Sequence, residues 1–496
     1  MGLPRIVRLP GAPPVPGAVD AGSIEEAVEV AVEEASREEE VLIVGRGAWE
    51  AYGEAAWRLR MEGGNFYLLE ALDADEEKLH RDGASKLFMA RLAYLARRRA
   101  RDAVLEPAGG GKRVSRRTLL RTAVVGSAMD YTEKPIHDQL CGKKPLGDYC
   151  SWCLDACDVE GGCAASAALC GVELLHVPGY SRAGLQDMLR LLSITGPGYA
   201  LIAPRSVLAK LVQELGNSSP GHPVVVVPVS CPYVVGLEEL LALRGLGLEP
   251  IMVDDGWERE LRRCRESRKT YLETVAADYE GITGASLAIV EAGKAVGLVQ
   301  EEPGLEPLGD ALELLGRGLR PLALAVAKRS GVSADLRTGF TGLVIVDQER
   351  CTLCGACAKE CPTGALKLRE EAEGSALLFL HDRCIACGWC REVCPEDAIT
   401  VKRAINPAII DSLVSLVAGE ELRCIVCGNP VGPTRMVEKV VEKLLASGID
   451  PEKMPTILMC STCKQKYSLG LIDEAKVDWE ALRRFVQRAR ARTAAG

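Results

Sequence analysis

The chain has 496 residues, 48% hydrophobic and 26% charged, with a formal net charge of −9. That length exceeds what one hydrophobic core organises, so several domains are expected. The acidic balance argues against nucleic acid as the main partner. No run of about eighteen uninterrupted apolar residues marks a membrane span, which leaves peripheral association open. The dominant feature is twenty cysteines, most of them in tight C-x2-C groups. In a long chain this points to metal ligation in a reducing, cytoplasmic compartment rather than to disulfides. Asn and Gln are scarce and Arg is plentiful, a pattern compatible with a thermophile.

The opening "MGLPRIVRLPGAPPVPGAVDAG" has no apolar core followed by a cleavage site and reads as a proline-rich lead-in rather than a secretory signal. Residues 1–106 then read as an N-terminal α/β domain. A helix is expected over 24–39, a buried strand in "EVLIVGRGAW", a helix through Arg60, a strand in "NFYLLEA", and helix again over 76–104. Gly45 and Gly47 match the first two glycines of a dinucleotide fingerprint. Glu50 stands at the third, where its side chain would crowd helix against strand, while Glu70 falls where a ribose-binding acid would sit. Two glycines of three favour a docking domain over a flavin or nicotinamide site.

Residues 107–198 read as linker and cysteine-rich segment. "EPAGGGKR" is the linker. "SRRTLLR" has the letters of a twin-arginine export signal, but lies deep in the chain and reads as a basic helix start. "CGKKPLGDYCSWCLDACDVEGGC" follows, with five cysteines from Cys141 to Cys163.

Residues 199–336 read as a central α/β domain with a helical tail. "GYALIA", "HPVVVVPVS" and "EPIMVDD" are continuous apolar strands alternating with the helices "SVLAKLVQEL" and "GLEELLALRGLG", as in a parallel sheet covered on both faces. Residues 258–330 look mostly helical. The stretch from "VVVVPVSC" to "ELRRC" resembles the hydrogenase iron–sulfur (delta) subunit domain, which links hydrogenases to heterodisulfide reductase-type complexes. Cys231 ends a strand here, Asp254, Asp255 and Trp257 occupy the next tip, and Cys264 follows. The paired cysteines that would complete a cluster at the second tip are missing, so the resemblance implies a retained fold with a lost cluster. Ligands of open α/β sheets sit at the carboxyl ends of strands, which makes Cys231 and Asp254 the places to look for an interface or a small ligand.

Residues 337–405 hold an internal repeat. Cys351, Cys354, Cys357 and Cys361 form C-x2-C-x2-C-x3-C-P, and Cys384, Cys387, Cys390 and Cys394 repeat it, with Pro362 and Pro395 after the last cysteine of each run. This resembles a bacterial-type ferredoxin with two 4Fe–4S clusters. Three thiolates can come from one tight loop, but that loop cannot surround a cubane, and in this motif the fourth Cys serves the other cluster. The resemblance therefore implies Cys351, Cys354, Cys357 and Cys394 on cluster 1, and Cys384, Cys387, Cys390 and Cys361 on cluster 2. "REEAEGSALLFL" between the runs reads as a hairpin extension.

Compared with this repeat, Cys150, Cys153, Cys157 and Cys163 form a stretched relative, C-x2-C-x3-C-x5-C, in which "AASAAL" takes the place of "PTGAL". A third 4Fe–4S cluster is expected there. Cys141 is the alternative fourth ligand, in C-x8-C-x2-C-x3-C.

Residues 406–496 carry two C-x2-C knuckles, Cys424/Cys427 and Cys460/Cys463, and a C-terminal helix. Four thiolates in two knuckles read as a tetrahedral structural zinc site. A zinc knuckle after a two-cluster ferredoxin resembles iron–sulfur subunits of multi-subunit hydrogenase complexes. The fold expectation is thus a multidomain α/β protein with a ferredoxin domain (α+β) and a zinc module. The functional expectation is an electron-transfer subunit of an oxidoreductase complex, partnered by other redox subunits, with no catalytic residue of its own. The alternatives are a self-contained flavin-dependent iron–sulfur oxidoreductase and a module whose clusters are structural.

Overall fold

The computed structural model describes residues 4–37, 39–62, 68–77, 86–92, 182–229, 235–254, 265–337, 340–361, 363–371, 374–386 and 388–495. The cysteines at 141–163, Cys170, Cys231, Asp255, Trp257, Cys264, Pro362 and Cys387 lie outside the described residues. The contacts divide the chain into two compact units, one of residues 1–341 with 385–387 and 403–408, the other of 342–384, 388–402 and 409–496. Parallel and antiparallel sheets both occur, so the fold is mixed α/β.

The first unit contains two parallel sheets. In the first, β1 (Arg5–Arg8), β2 (Val19–Asp20), β3 (Val41–Val44) and β4 (Leu69–Leu72) lie in the order β2-β1-β3-β4. The proline-rich lead-in thus supplies an interior strand, β1, and an edge strand, β2. Their four and two residues are too short for periodicity to reveal. Helix α1 (Ile24–Ser36) starts where Ser23 accepts the Glu26 N–H at 3.2 Å, and it buries Ala27, Val28, Ala31 and Ala35. Helix α2 (Ala48–Glu62) returns the chain to β4, and the short helix α3 (Ala74–Glu77) follows it.

In the second sheet β5 (Gly198–Pro204), β6 (Val224–Val229), β7 (Leu248–Val253) and β8 (Ala288–Val290) lie in the order β6-β5-β7-β8. Every residue of β5 and β6 is buried, as covered parallel strands require. The strand β8 interrupts the region expected to be helical. Its N–H and carbonyl groups complete the edge of β7, and the Val290 carbonyl accepts the Asp254 N–H at 2.7 Å. That contact is where the expected interface residue Asp254 sits.

One apolar core runs through both sheets, from Val7 and Ile43 to Leu201, Leu215, Val226 and Val253. Helix α4 (Arg205–Ser218) follows β5 directly and approaches the N-terminal module so closely that a Cβ on Gly216 would stand 3.0 Å from that of Asp75. Two ion pairs are buried with this core. Arg205 donates to Glu70 at 2.7 Å, with both side chains at most 1% exposed. Arg91 donates to Glu76 at 3.1 Å and to the Val226 carbonyl at 3.3 Å. Burial, against the pull of Arg91, lifts the Glu76 carboxyl to about 7.

The second unit is built on an antiparallel sheet of β9 (Leu366–Glu371), β10 (Gly374–Leu380), β11 (Leu413–Arg423) and β12 (Pro430–Pro433), in that order. The first two strands are the expected hairpin, with Leu368 opposite Leu377 and Leu366 opposite Phe379. They do not end as an appendage: β10 goes on to pair with β11, the strand that leads into Cys424. Helices α5 (Thr434–Ala446) and α6 (Trp479–Ala495) close the C-terminal end over a core of Val437, Val441, Leu482, Phe485 and Val486. Among the described residues no helix is long and apolar enough to cross a membrane.

Removing one partner of a buried ion pair strands the other charge. Arg205→Ala is expected to destabilise the first unit by about 3–5 kcal/mol, with Glu70→Leu/Arg205→Met recovering most of the loss; chemical denaturation of the three proteins checks this.

Candidate metal centres

The repeat seen in the letters is also a repeat of backbone conformation. Leu353, Gly355 and Gly364 take left-handed φ values of 56°, 73° and 65°; Ala386, Gly388 and Asp397, each the same interval further on, take 53°, 74° and 47°. Leucine, alanine and aspartate pay a steric cost in that region, so the loop must over-determine it. The gain is direction. Left-handed residues placed between right-handed ones turn successive N–H groups inward to form a concavity for an anion, a device used at iron–sulfur sites. Gly355 is further confined, because a Cβ there would stand 2.9 Å from Leu368 Cδ2.

These loops bring residues of both runs together. Cys351, Cys354, Cys357 and Cys394 line one cavity, with Thr352, Leu353, Leu377, Pro395 and Ile399 around them. Cys354 is exposed and Cys357 buried. Burial, and then the neighbouring thiolates of Cys351, Cys354 and Cys394, push the Cys357 thiol up to about 12; Cys351 is raised by burial and by Cys354 and Cys394. Two thiols whose ionisation burial and their neighbours oppose require a cationic core to hold them as thiolates. The Ala398 N–H donates to Cys394 Sγ at 3.3 Å, a polar contact of the kind that tunes a bound cluster. The donor set and the N–H groups of Leu353, Ala358 and Ala398, which bond to sulfurs of Cys351, Cys357 and Cys394, fit a thiolate-ligated cluster. Cys361, Cys384 and Cys390 are packed in the same apolar core as Cys351, Cys357 and Cys394.

Residues 343–395 match the family model of the 4Fe-4S dicluster domain. The chain carries an iron–sulfur binding domain. The matched segment contains all eight cysteines of the repeat. A search of the curated proteins finds no match to the chain.

A separate four-cysteine site closes the second unit. Cys424 and Cys427 lie in the turn between β11 and β12; Cys460 caps the helix Ser461–Ser468 and Cys463 lies in its first turn. Gly428, at φ 75°, lets the first knuckle turn so that its N–H reaches the Cys424 carbonyl at 2.9 Å. The four Sγ atoms all lie within 4.8 Å of one another, and Cys427 and Cys460 are 3.7 Å apart. A tetrahedral ion with metal–sulfur bonds of about 2.3 Å holds its sulfurs about 3.8 Å apart. The set therefore fits a single four-coordinate ion; a cubane, which binds each thiolate to a different iron, needs a wider ring. Met459, Val477, Ile425, Val426 and Trp479 pack against its buried cysteines, while Cys427 is exposed.

The dinucleotide-like features of the N-terminal module serve the fold instead. The Gly47 N–H, which would face a phosphate, donates to the Asp73 carboxylate at 2.9 Å. Glu70, at the position of a ribose-binding acid, is fully buried in its pair with Arg205. Asp73, which sequence reasoning missed, fills the helix N-terminus; its place directly after a strand was the available signal.

At the four-cysteine site, burial works against ionisation of Cys424, but N–H groups of Cys460, Cys427 and Val426 and a bond from the Cys427 thiol bring it down to about 7. Burial and the neighbouring thiols push Cys463 up to about 12. The Cys424 thiolate is present above about 7 and lost below it, and Cys463 must release a proton to any incoming ion. Metal binding is thus expected to release protons and to weaken by at least about tenfold between pH 8 and pH 6, as read by competition with a chelator.

Proposed function

We propose that this chain is an iron–sulfur electron-transfer subunit, relaying single electrons through 4Fe–4S clusters to or from other subunits of a cytoplasmic redox complex of the hydrogenase or heterodisulfide reductase kind. The observation that carries this reading is the shared cavity: three cysteines of the first run and the last cysteine of the second line one space. In a crossed arrangement, cluster 1 is held by Cys351, Cys354, Cys357 and Cys394, and cluster 2 by Cys384, Cys387, Cys390 and Cys361. Crossed ligands keep the clusters close, which is the condition for rapid electron exchange between them. Zinc, without redox chemistry, suits the tetrahedral site of Cys424, Cys427, Cys460 and Cys463 as a structural ion. A third cluster at Cys150, Cys153, Cys157 and Cys163 (or with Cys141 in place of Cys163) extends the relay.

Metal analysis and EPR of the anaerobically purified full chain test the reading. About eight irons and one zinc are expected from the ferredoxin and knuckle sites alone, and about twelve irons with the third cluster. Dithionite should bleach the visible absorbance and give the signal of two magnetically coupled clusters; two isolated signals refute the crossed arrangement.

Crossed ligation also makes Cys361→Ala damage the cluster of Cys384, Cys387 and Cys390 while sparing that of its own run, which site-selective loss of one EPR component will reveal. Cys460→Ser should remove the zinc and leave the iron count unchanged.

A further inference from the structure

The helix α5, which follows the first knuckle directly, reaches back to the cluster 1 cavity at two points. Near its start, Arg435 donates a hydrogen bond to the Gln348 carbonyl, three residues before Cys351. Two turns later Lys443 pairs with Glu396 at 3.5 Å, two residues after Cys394. Gln348 is itself held, its side chain donating to the Leu416 carbonyl of β11 at 3.3 Å. One rigid helix therefore braces the chain beside the first and the last of the four cysteines of that cavity. Between the two grips lies a polar groove that Cys351 and Arg435 both line. It also holds Arg350, Lys439 and Arg488, against Glu349, Glu396, Glu420, Glu438 and Glu442.

We infer that Arg435 sets the reduction potential of cluster 1, its guanidinium being tied to the backbone three residues before Cys351, in the groove that Cys351 lines. This rests on the electron-transfer reading above. One electron entering from a donor makes the thiolate-ligated core more negative by one charge; no bond forms or breaks and no proton moves. A fixed cation beside the core stabilises that extra charge and raises the potential, and net charge is one of the factors that set potentials of such clusters. Arg435 is exposed, so water and salt screen it and its effect is largest at low ionic strength. The carboxylates of the groove oppose it, but Arg435 is the cation fixed by a hydrogen bond to the backbone that leads into Cys351. In this arrangement the knuckle module, redox-inert itself, acts on electron flow by holding a charge in place.

The test is a potentiometric titration, read by EPR at low salt, of the full chain and of Arg435→Gln, Arg435→Met and Arg435→Lys. Both neutral variants should lower the potential of one cluster and leave the other in place. At the wild-type midpoint the reduced-to-oxidised ratio of that cluster should fall by roughly two- to tenfold, as a partly screened unit charge dictates. Arg435→Lys should restore most of the shift, and added salt should shrink the difference between neutral and charged variants. Unchanged midpoints in the neutral variants overturn the inference. Loss of iron in both also overturns it, because Arg435 would then hold the fold rather than set the potential. A wild-type chain with no reducible cluster defeats the electron-transfer reading itself, whereas two normal clusters indifferent to residue 435 defeat this inference alone.

Discussion

The second unit depends on the antiparallel ladder between Gly374–Leu380 and Leu413–Glu420. Leu377 lines the four-cysteine cavity on one side of this ladder and pairs with Val417 within it. The same strand that carries Val417 delivers Cys424 to the tetrahedral site. A slip of one residue would turn Leu377 and Phe379 away from the core and take the cavity wall with them. Gly374 and Gly419 show how tightly the frame is drawn: a Cβ on Gly374 would stand 2.7 Å from the Gly419 carbonyl oxygen, and one on Gly419 would stand 2.8 Å from Leu353 Cδ1, inside the cysteine loop.

On that frame the two sites solve opposite electrostatic problems. The tetrahedral set crowds its sulfurs to the spacing of one small ion and splits their affinities for protons, from about 7 at Cys424 to about 12 at Cys463. The cavity of the dicluster domain gathers cysteines from both runs and supplies N–H groups of Leu353, Ala358 and Ala398 to their sulfurs. The first site suits a rigid structural ion. The second suits a larger thiolate-bound group, and α5 links the two.

The first unit follows a different logic. Its two parallel sheets share one apolar core, and buried pairs such as Glu70–Arg205 fix how they meet. Such pairs gain little net stability, since desolvation offsets attraction, but a displaced partner leaves a charge in an apolar setting. Residues that look like a cofactor site in the sequence, Gly47 and Glu70, are consumed by this internal bonding.

The cysteine spacings by themselves singled out the candidate ligands, because loop length and thiolate chemistry are local properties. Apolar runs such as "VVVVPV" and "VLIV" likewise declared their buried strands, since burial on both faces leaves no polar alternation. Strands β1, β2 and β8 were not legible: their pairing partners, not their own few residues, make them strands. Nor could spacing say that the inter-repeat hairpin would join the sheet leading to Cys424, that Glu70 would face Arg205 rather than a ribose, or that Arg435 would reach Gln348. Those are contacts between segments far apart in the chain. Only the tertiary structure decides them, because only packing determines which of many available polar groups a buried or tethered charge meets.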